Sequence, residues 1–493
     1  MALAAPRTWV QALIANLTCW NVQVLCTAVS ALAIAGVAAT AFGPSASKAS
    51  DDDGTSLVED LLDGPARLQL LSTLVALRLP QAVCCASAGA SAVDPATLTP
   101  RENLPTLLRL LRAADALHVL RFPAPCPRGT SALEGCLAQR PALQRLVPPD
   151  APCASAPSLA ADVQLQAGLH AGAWAKLPEW AAVRSPSSDD ARRATTPFEM
   201  HAGLSAGAFF AHADNGDWLA LDAAAVEQRA RRCDPQLLEQ APWREVVMAA
   251  ARQRRDGGSN GGGGGGGTDV TVLDAGAGRA PELLRGVASL VRSDGDTRVS
   301  AVALELGHVI ESLPPSELRR GGIEFVAGNL FEGVPPADVV MLKRVLHAAP
   351  DDAAALGVIR AVSRAFDASV SGGTLVVIEP LLPELTEGEG GSVWAGGSGS
   401  GSGGGGGGGG GVGGGGGASA PSSEAAARLH ARAHLDDVRL MVVGGGRDRT
   451  LSEWRALLAR GGFELRSVHR APTPPPGSSA ACNPAVLVAH AAP

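Results

Sequence analysis

The sequence predicts an α/β fold: a mostly parallel, doubly wound sheet closed by a terminal antiparallel hairpin, preceded by a mainly α-helical domain. Three observations predict it. Between Val270 and Glu379, apolar runs of strand length alternate with stretches of helical length, the pattern of a doubly wound sheet. Most of these runs finish on a polar residue, at Asp274, Glu305, Lys343 and Glu379, and an open parallel sheet binds its ligands at that edge. From Leu57 to about Met248, apolar residues recur mostly at helical spacing.

In chain order, Leu57–Leu62, Leu68–Leu77 and Asn103–Ala114 read as helices, with Asn103 as a cap and Pro105 in the first turn, where its missing N–H costs nothing. Leu117–Phe122 reads as a short strand, so one reading of this order is a helix followed by a small wing. Further helices are expected at Trp174–Trp180 and Ala223–Arg231. Strands follow at Val270–Asp274, Val299–Glu305, Ile323–Ala327, Asp338–Lys343 and Thr374–Glu379, with helices at Pro281–Val291 and Asp352–Phe366. A helix at Ser452–Arg460 then leads into two successive strands, Phe463–His469 and Ala485–His490, which suit a hairpin closing the sheet edge.

At 493 residues the chain has length for two or three domains. It contains no tyrosine and few other aromatics, so its cores must rest on Leu, Val and Ala. The net charge of −7 is small, and no Lys/Arg cluster is interleaved with aromatics, which gives nucleic-acid binding no support. The nine cysteines form no CxxC pair and no His stands at zinc-finger spacing, so no metal site is expected. Free thiols in a reducing compartment are the plain reading.

From Val10 to Ser47 there is no charged side chain, and 24–42 is almost wholly apolar or small. A span of about 20 apolar residues crosses a bilayer. The Ala-rich content and Arg7 also suit a leader or transit segment, and an extension without an address is the third reading. Two glycine tracts punctuate the chain. Gly257–Gly267 reads as an interdomain joint, and Gly390–Ser423 as a disordered insertion that cannot offset its ordering entropy. The expected organisation is a leader or anchor at 1–50, a helical domain at 51–248, a linker at 249–268 and the sheet domain at 269–493, with the insertion at 390–423.

The chemistry concentrates where the strands end. In Asp274-Ala-Gly276-Ala-Gly278-Arg-Ala280 the glycines let backbone approach a ligand and take positive φ, and the next helix offers free N–H groups. Glu305 ends the following strand, where an acid can accept both hydroxyls of a ribose. NAD is one candidate, but a dinucleotide site favours a third glycine. Ala280 and the acid at Asp274 fit a smaller, partly cationic ligand such as S-adenosylmethionine.

On these residues the chain resembles the plant caffeic-acid and animal hydroxyindole (acetylserotonin) O-methyltransferases, a two-domain family that uses S-adenosylmethionine. The resemblance runs from about Leu57 to the C-terminus and is tightest at Val270–Pro383. It implies a Rossmann-like methyltransferase domain behind a winged-helix-like dimerisation domain. It also implies a homodimer and a small aromatic hydroxyl acceptor. It places the cofactor on Asp274, Gly276, Gly278, Glu305, Asn329, Leu330, Lys343 and Arg344. His347, in Arg344-Val-Leu-His347, falls on the general base. Glu379 and Asp448 fall on its two supporting acids. Thr196–Gly203 and Phe209-Phe210 resemble the segment leading to the acceptor pocket. The chain departs from the family pattern at Asn329, where Asp is usual, at Ala349, where Trp is usual, and at Asp448, where Glu is usual. These departures keep a second reading open: a member that binds the cofactor as a scaffold without catalysing.

Overall fold

The computed structural model describes residues 55–86, 92–99, 103–126, 135–154, 157–183, 196–257, 268–292, 297–367, 373–384, 423–470 and 484–491. The apolar segment before residue 50, the glycine tract from 258 and the insertion at 390–422 lie outside them. Among the described residues no helix is long and apolar enough to cross a membrane. The chain divides into two compact units at Ala225/Val226.

In the first unit, α1 (Thr55–Ala76), α2 (Leu79–Cys84) and α3 (Leu104–Ala116) precede an antiparallel pair, β1 (Leu120–Ala124) and β2 (Cys136–Gln139). The helix-then-wing order therefore forms. Leu74, Leu79, Leu107, Leu111, Leu120, Phe122 and Leu137 make its core. Asn103 precedes α3 but makes no capping hydrogen bond, and the helix expected across Trp174–Trp180 breaks at Lys176. Contrary to the free-thiol expectation, four cysteines of this unit are paired. Cys85 pairs with Cys153, and Cys126 with Cys136. Cysteine spacing alone cannot reveal such pairs, because the fold brings Cys85 and Cys153 together across 68 residues.

The second unit begins inside α4 (Gly216–Gln240) and continues through α5 (Trp243–Gly257). The division thus falls before the expected boundary at 248, and residues 249–257, expected as the start of a linker, are helical. The reason is packing: Trp243, Val247, Ala250 and Ala251 of α5 are buried against strand residues of the sheet. Then come β3 (Thr268–Ala275), α6 (Glu282–Arg292), β4 (Thr297–Glu305), β5 (Ile323–Ala327), β6 (Val339–Lys343), α7 (Asp352–Asp367) and β7 (Thr374–Glu379). After them follow α8 (Ser423–Gly444), α9 (Leu451–Arg460) and the strands β8 (Phe463–His469) and β9 (Ala485–Ala491).

The seven strands order as β8-β9-β7-β6-β3-β4-β5. β9 runs antiparallel to both β8 and β7, and the remaining pairs are parallel. Alternation splits the strand side chains between two cores: Val270 and Val272 face α5 and α6, while Leu273 and Ala275 face α7 and α9. In α6 the stripe Leu283, Leu284, Val287, Ala288, Val291 is fully buried, at helical spacing. β3 lies between β4 and β6, so the chain departs from it in both directions. The crevice at its C-terminal end is the ligand position of such sheets.

Candidate active site

Asp274 is the next-to-last residue of β3, beside Ala303 on β4 and Met341 on β6. The turn after it is tight. Gly276 has φ +80°, and a Cβ there would stand 2.8 Å from Val345 Cγ2, so a side chain at this position would meet the turn that carries His347. Gly278 has φ +66°, and its N–H donates to Glu305 Oε2 at 2.8 Å. The other oxygen, Oε1, accepts the Leu306 N–H at 2.8 Å. Glu305 therefore ties the glycine turn to the end of β4. These residues border a cleft lined by Gly276, Glu305, Leu306, Asn329, Leu330 and Phe331, among others. Phe331 is 59% exposed at its rim, an apolar face available to a flat ring. Asn329 lines the cleft, but its amide serves its own turn: Oδ1 accepts the Phe331 N–H at 3.1 Å and Nδ2 donates to Glu332 at 3.1 Å.

Below the turn lies a buried charge cluster. Lys343 Nζ donates to Asp234 Oδ2 at 2.7 Å, and the Leu283 N–H, in the first turn of α6, donates to the same oxygen at 3.2 Å. Asp274 is fully buried, and neither of its oxygens has a hydrogen-bond partner. Burial pushes its carboxyl up to about 6, against the pull of Lys343. Asp234 is also shifted upward by burial, opposed by Lys343.

His347 sits on a short turn between β6 and α7. Its Nδ1 faces Glu379 Oε2 at 3.2 Å and Asp448 Oδ1 at 3.8 Å, without the alignment of a hydrogen bond. Glu379 Oε1 accepts the N–H groups of Leu346 at 2.9 Å and His347 at 3.2 Å, so this acid holds the backbone of the turn as well as facing the ring. Glu379 and Asp448 are buried. Burial pushes Glu379 up to about 8, and pushes Asp448 up to about 7 with help from Asp437. It drives His347 down to about 3, assisted by Arg344, Arg229 and Arg449. The ring is thus neutral at pH 7, the state a proton acceptor needs.

The sequence-predicted residues fall into two groups. Asp274, Gly276, Gly278, Glu305, Asn329 and Leu330 gather at the glycine turn and cleft, with Lys343 beneath, and His347, Glu379 and Asp448 converge on one another. Arg344 was expected with the cofactor residues, but its guanidinium lies in the field of Glu379, Asp448 and Asp436. Its backbone takes a left-handed φ of +54°, and its N–H donates to Ile378 O at 3.0 Å.

Three residues escaped the sequence reading. Asp234 stands in an Asp-Pro pair that reads as a turn starter. Arg449 is fully buried, donates to Leu346 O at 3.2 Å and to Asp352, and stacks over Trp454 at 5.2 Å. Arg229 contributes charge near His347 from α4. No local pattern marks the last two, because Arg449 bonds residues 97 and 103 positions away and Arg229 acts on His347 from another element.

Residues 297–392 match the model of the O-methyltransferase domain family. The chain is 27% identical over 170 residues to flavonoid 4'-O-methyltransferase 5 of Ocimum basilicum, 34% of this chain and 38% of that protein. It therefore spans about two fifths of that relative's length. Human N-acetylserotonin methyltransferase, solved in complex with S-adenosylmethionine, superposes with a TM-score of 0.59 at 15% identity, covering 91% of this chain and all of that one. A pericyclic reaction enzyme superposes with a TM-score of 0.58 at 16% identity, covering 90% of each chain. At such identities the structures establish the shared fold. With the family match over residues 297–392 they define the class by likeness: a Rossmann-like fold shared with S-adenosylmethionine-binding methyltransferases, carrying a segment similar to the O-methyltransferase domain.

Proposed function

We propose that this protein transfers a methyl group from S-adenosylmethionine to a hydroxyl of a small phenol or hydroxyindole, with His347 as general base. The observation that carries this reading is the convergence of Glu379 and Asp448 on His347 Nδ1, at the same sheet edge as the glycine turn and Glu305. The residues present fit the cofactor. The cleft has an apolar wall at Phe331 and Leu330 and an acid at Glu305, and the buried, unpartnered Asp274 supplies negative potential for a cationic ligand.

Bound in the cleft, S-adenosylmethionine supplies an electrophilic methyl on a positively charged sulfur. The protein must make the acceptor oxygen nucleophilic. With Nδ1 turned to the two acids, His347 presents Nε2 to the acceptor hydroxyl and takes its proton. The resulting imidazolium is stabilised by whichever of Glu379 and Asp448 is ionised, as in other acid–histidine pairs. Glu379 also fixes the turn through Leu346 and His347, and such fixing is what in-line transfer rewards most. The relatives' names place flavonoids and N-acetylserotonin among the family's acceptors.

The second reading is a cofactor-binding member that has given up methyl transfer. Asn329, whose amide is engaged in its own turn, favours it, and the pericyclic reaction enzyme illustrates that this fold hosts other chemistry. Mass-spectrometric screening of the full chain with isotope-labelled S-adenosylmethionine against phenols and hydroxyindoles decides between them. Labelled methyl ethers support the enzyme. Tight cofactor binding with no transfer to any acceptor supports the scaffold. We also propose a homodimer formed through the first unit, as the resemblance implies. A monomeric mass by light scattering would remove that element.

A further inference from the structure

We propose that Asp234 is a positioning residue of the cofactor site, anchoring the Lys343 ammonium beneath the glycine turn so that the site stays net negative toward a cationic ligand. The inference rests on the S-adenosylmethionine reading above and adds a residue to it.

The geometry is specific. Asp234 is 3% exposed, and one of its oxygens receives two donors from two different elements, Lys343 Nζ at the end of β6 and the Leu283 N–H at the start of α6. α6 is the helix that follows the glycine turn, and a carboxylate at its first turn also meets the positive end of its dipole. Asp234 thus joins α4, β6 and α6 at one point under the turn.

The charges give this junction a purpose. Asp274 is fully buried with no hydrogen-bond partner, and it feels Lys343, Asp234 and Glu305. Were Lys343 released, its ammonium would be drawn to Asp274 and would cancel the potential that Asp274 and Glu305 offer a ligand. Held by Asp234, the lysine is already neutralised, so Asp274 and Glu305 act on the cleft as uncompensated acids. A methyl donor bearing a sulfonium gains from that potential. Its demethylated product, a neutral thioether with the same amino-acid and adenosine groups, gains less. Asp234 would therefore favour binding of donor over retention of product.

The test is calorimetry on the full chain with S-adenosylmethionine and S-adenosylhomocysteine, comparing wild type with Asp234→Asn, Lys343→Met and the double variant. The readout is the ratio of the two dissociation constants, which a loss of packing would leave unchanged. Asp234→Asn leaves an unneutralised ammonium and should shift the ratio about tenfold toward the product, the order expected of one unit charge in a partly polar interior. Lys343→Met removes that positive charge and should shift the ratio the opposite way. The double variant should return close to wild type. Singles that shift the ratio in the same direction, or leave it unmoved while both ligands weaken equally, overturn the proposal. If Asp234→Asn fails to fold, the sign of the Lys343→Met shift and the double variant still decide. Wild type that binds neither ligand overturns the methyltransferase reading itself, and this inference with it. Wild type that binds both, with an unmoved ratio in the variants, overturns this inference alone.

Discussion

Gly446 lies against the backbone carbonyl of His347, so close that a Cβ at this position would collide with that oxygen. The next residue, Arg447, donates its N–H to the same carbonyl at 2.9 Å. The Gly445-Gly446 turn after α8 is thus a clamp on the His347 backbone, and it delivers Asp448 to the imidazole. Gly446→Ala should displace His347. Overpacking of this kind costs about 1–3 kcal/mol. We expect a lower melting temperature and a fall in kcat, with cofactor affinity near wild type. Unchanged kcat would show that the clamp has slack.

His347→Ala should lower turnover by about 10²–10⁴-fold, the usual contribution of a general base. Calorimetric affinity for S-adenosylmethionine should change little, because the cleft is lined by Gly276, Glu305, Leu306 and the 328–331 turn. Loss of cofactor binding in this variant would instead make His347 a structural residue.

Titration of the same cluster predicts a pH dependence of stability. Glu379 is raised from 4.5 to about 8, and Asp448 from 3.8 to about 7. A raised carboxyl binds its proton more tightly in the folded state, so its contribution is full below the unfolded value and is lost as pH rises through the folded one. His347 is lowered from 6.5 to about 3. Its contribution is present above 6.5 and is lost as pH falls toward 3. The terms oppose each other below pH 6.5. Between 6.5 and about 8 the two carboxyls act unopposed, so stability should decline. Urea melts at pH 6.5 and 8 should show this decline, and Glu379→Gln should reduce it. A decline of equal size in the variant would assign it to other groups.

The sheet was legible because each strand carries its own signal. Val270–Asp274 and Thr374–Glu379 are β-branched, apolar and end in an acid, and they fold where expected, with Asp274 and Glu379 at the ligand edge. The hairpin of β8 and β9 was readable from two strand-like segments in succession, Phe463–His469 with alternating apolar residues and Ala485–His490 as an apolar run. What stayed hidden depends on distance in sequence. Asp234 acquires meaning only when α4 packs beneath β6, and Arg449 only when it meets Leu346 and Asp352 about a hundred positions earlier. Residues 249–257 are helical where a linker is expected, because the charged end of α5 conceals a Trp243–Ala251 face that is buried in the sheet's core. Asn103 had the right identity for a cap, but its backbone is already helical there, so its side chain cannot reach the free N–H groups.

Glu305 should be the cofactor-site side chain with the clearest signature. It holds the Gly278 and Leu306 N–H groups, and it is the acid best placed for ribose hydroxyls. Glu305→Ala should weaken S-adenosylmethionine by about 1–3 kcal/mol, the cost of leaving such groups unpaired. Glu305→Gln, which keeps acceptor capacity on one oxygen, should lose less. Equal affinities for wild type and Glu305→Ala would move the ribose elsewhere.

The disulfides of the first unit yield the last prediction. Cys85–Cys153 joins the end of α2 to the loop after Val147 across 68 residues, and Cys126–Cys136 closes the wing across 10. Constraint of the unfolded chain gives about 4 kcal/mol for a loop near the first length and about 3 for the second, in the loop-entropy treatment. The neighbouring Cys84 is free, and burial pushes its thiol up to about 11, so little thiolate is present at neutral pH to attack the adjacent bridge. Cys85→Ser should therefore lower the melting transition of this unit more than Cys126→Ser does. The cofactor affinity of the second unit should hold, since the residues lining its cleft belong to that unit. Differential scanning calorimetry with and without reductant checks the order. If Cys85→Ser and wild type melt alike under oxidising conditions, the bridge contributes nothing to this unit's stability, and the hydrophobic core around Leu111 and Leu137 is sufficient alone.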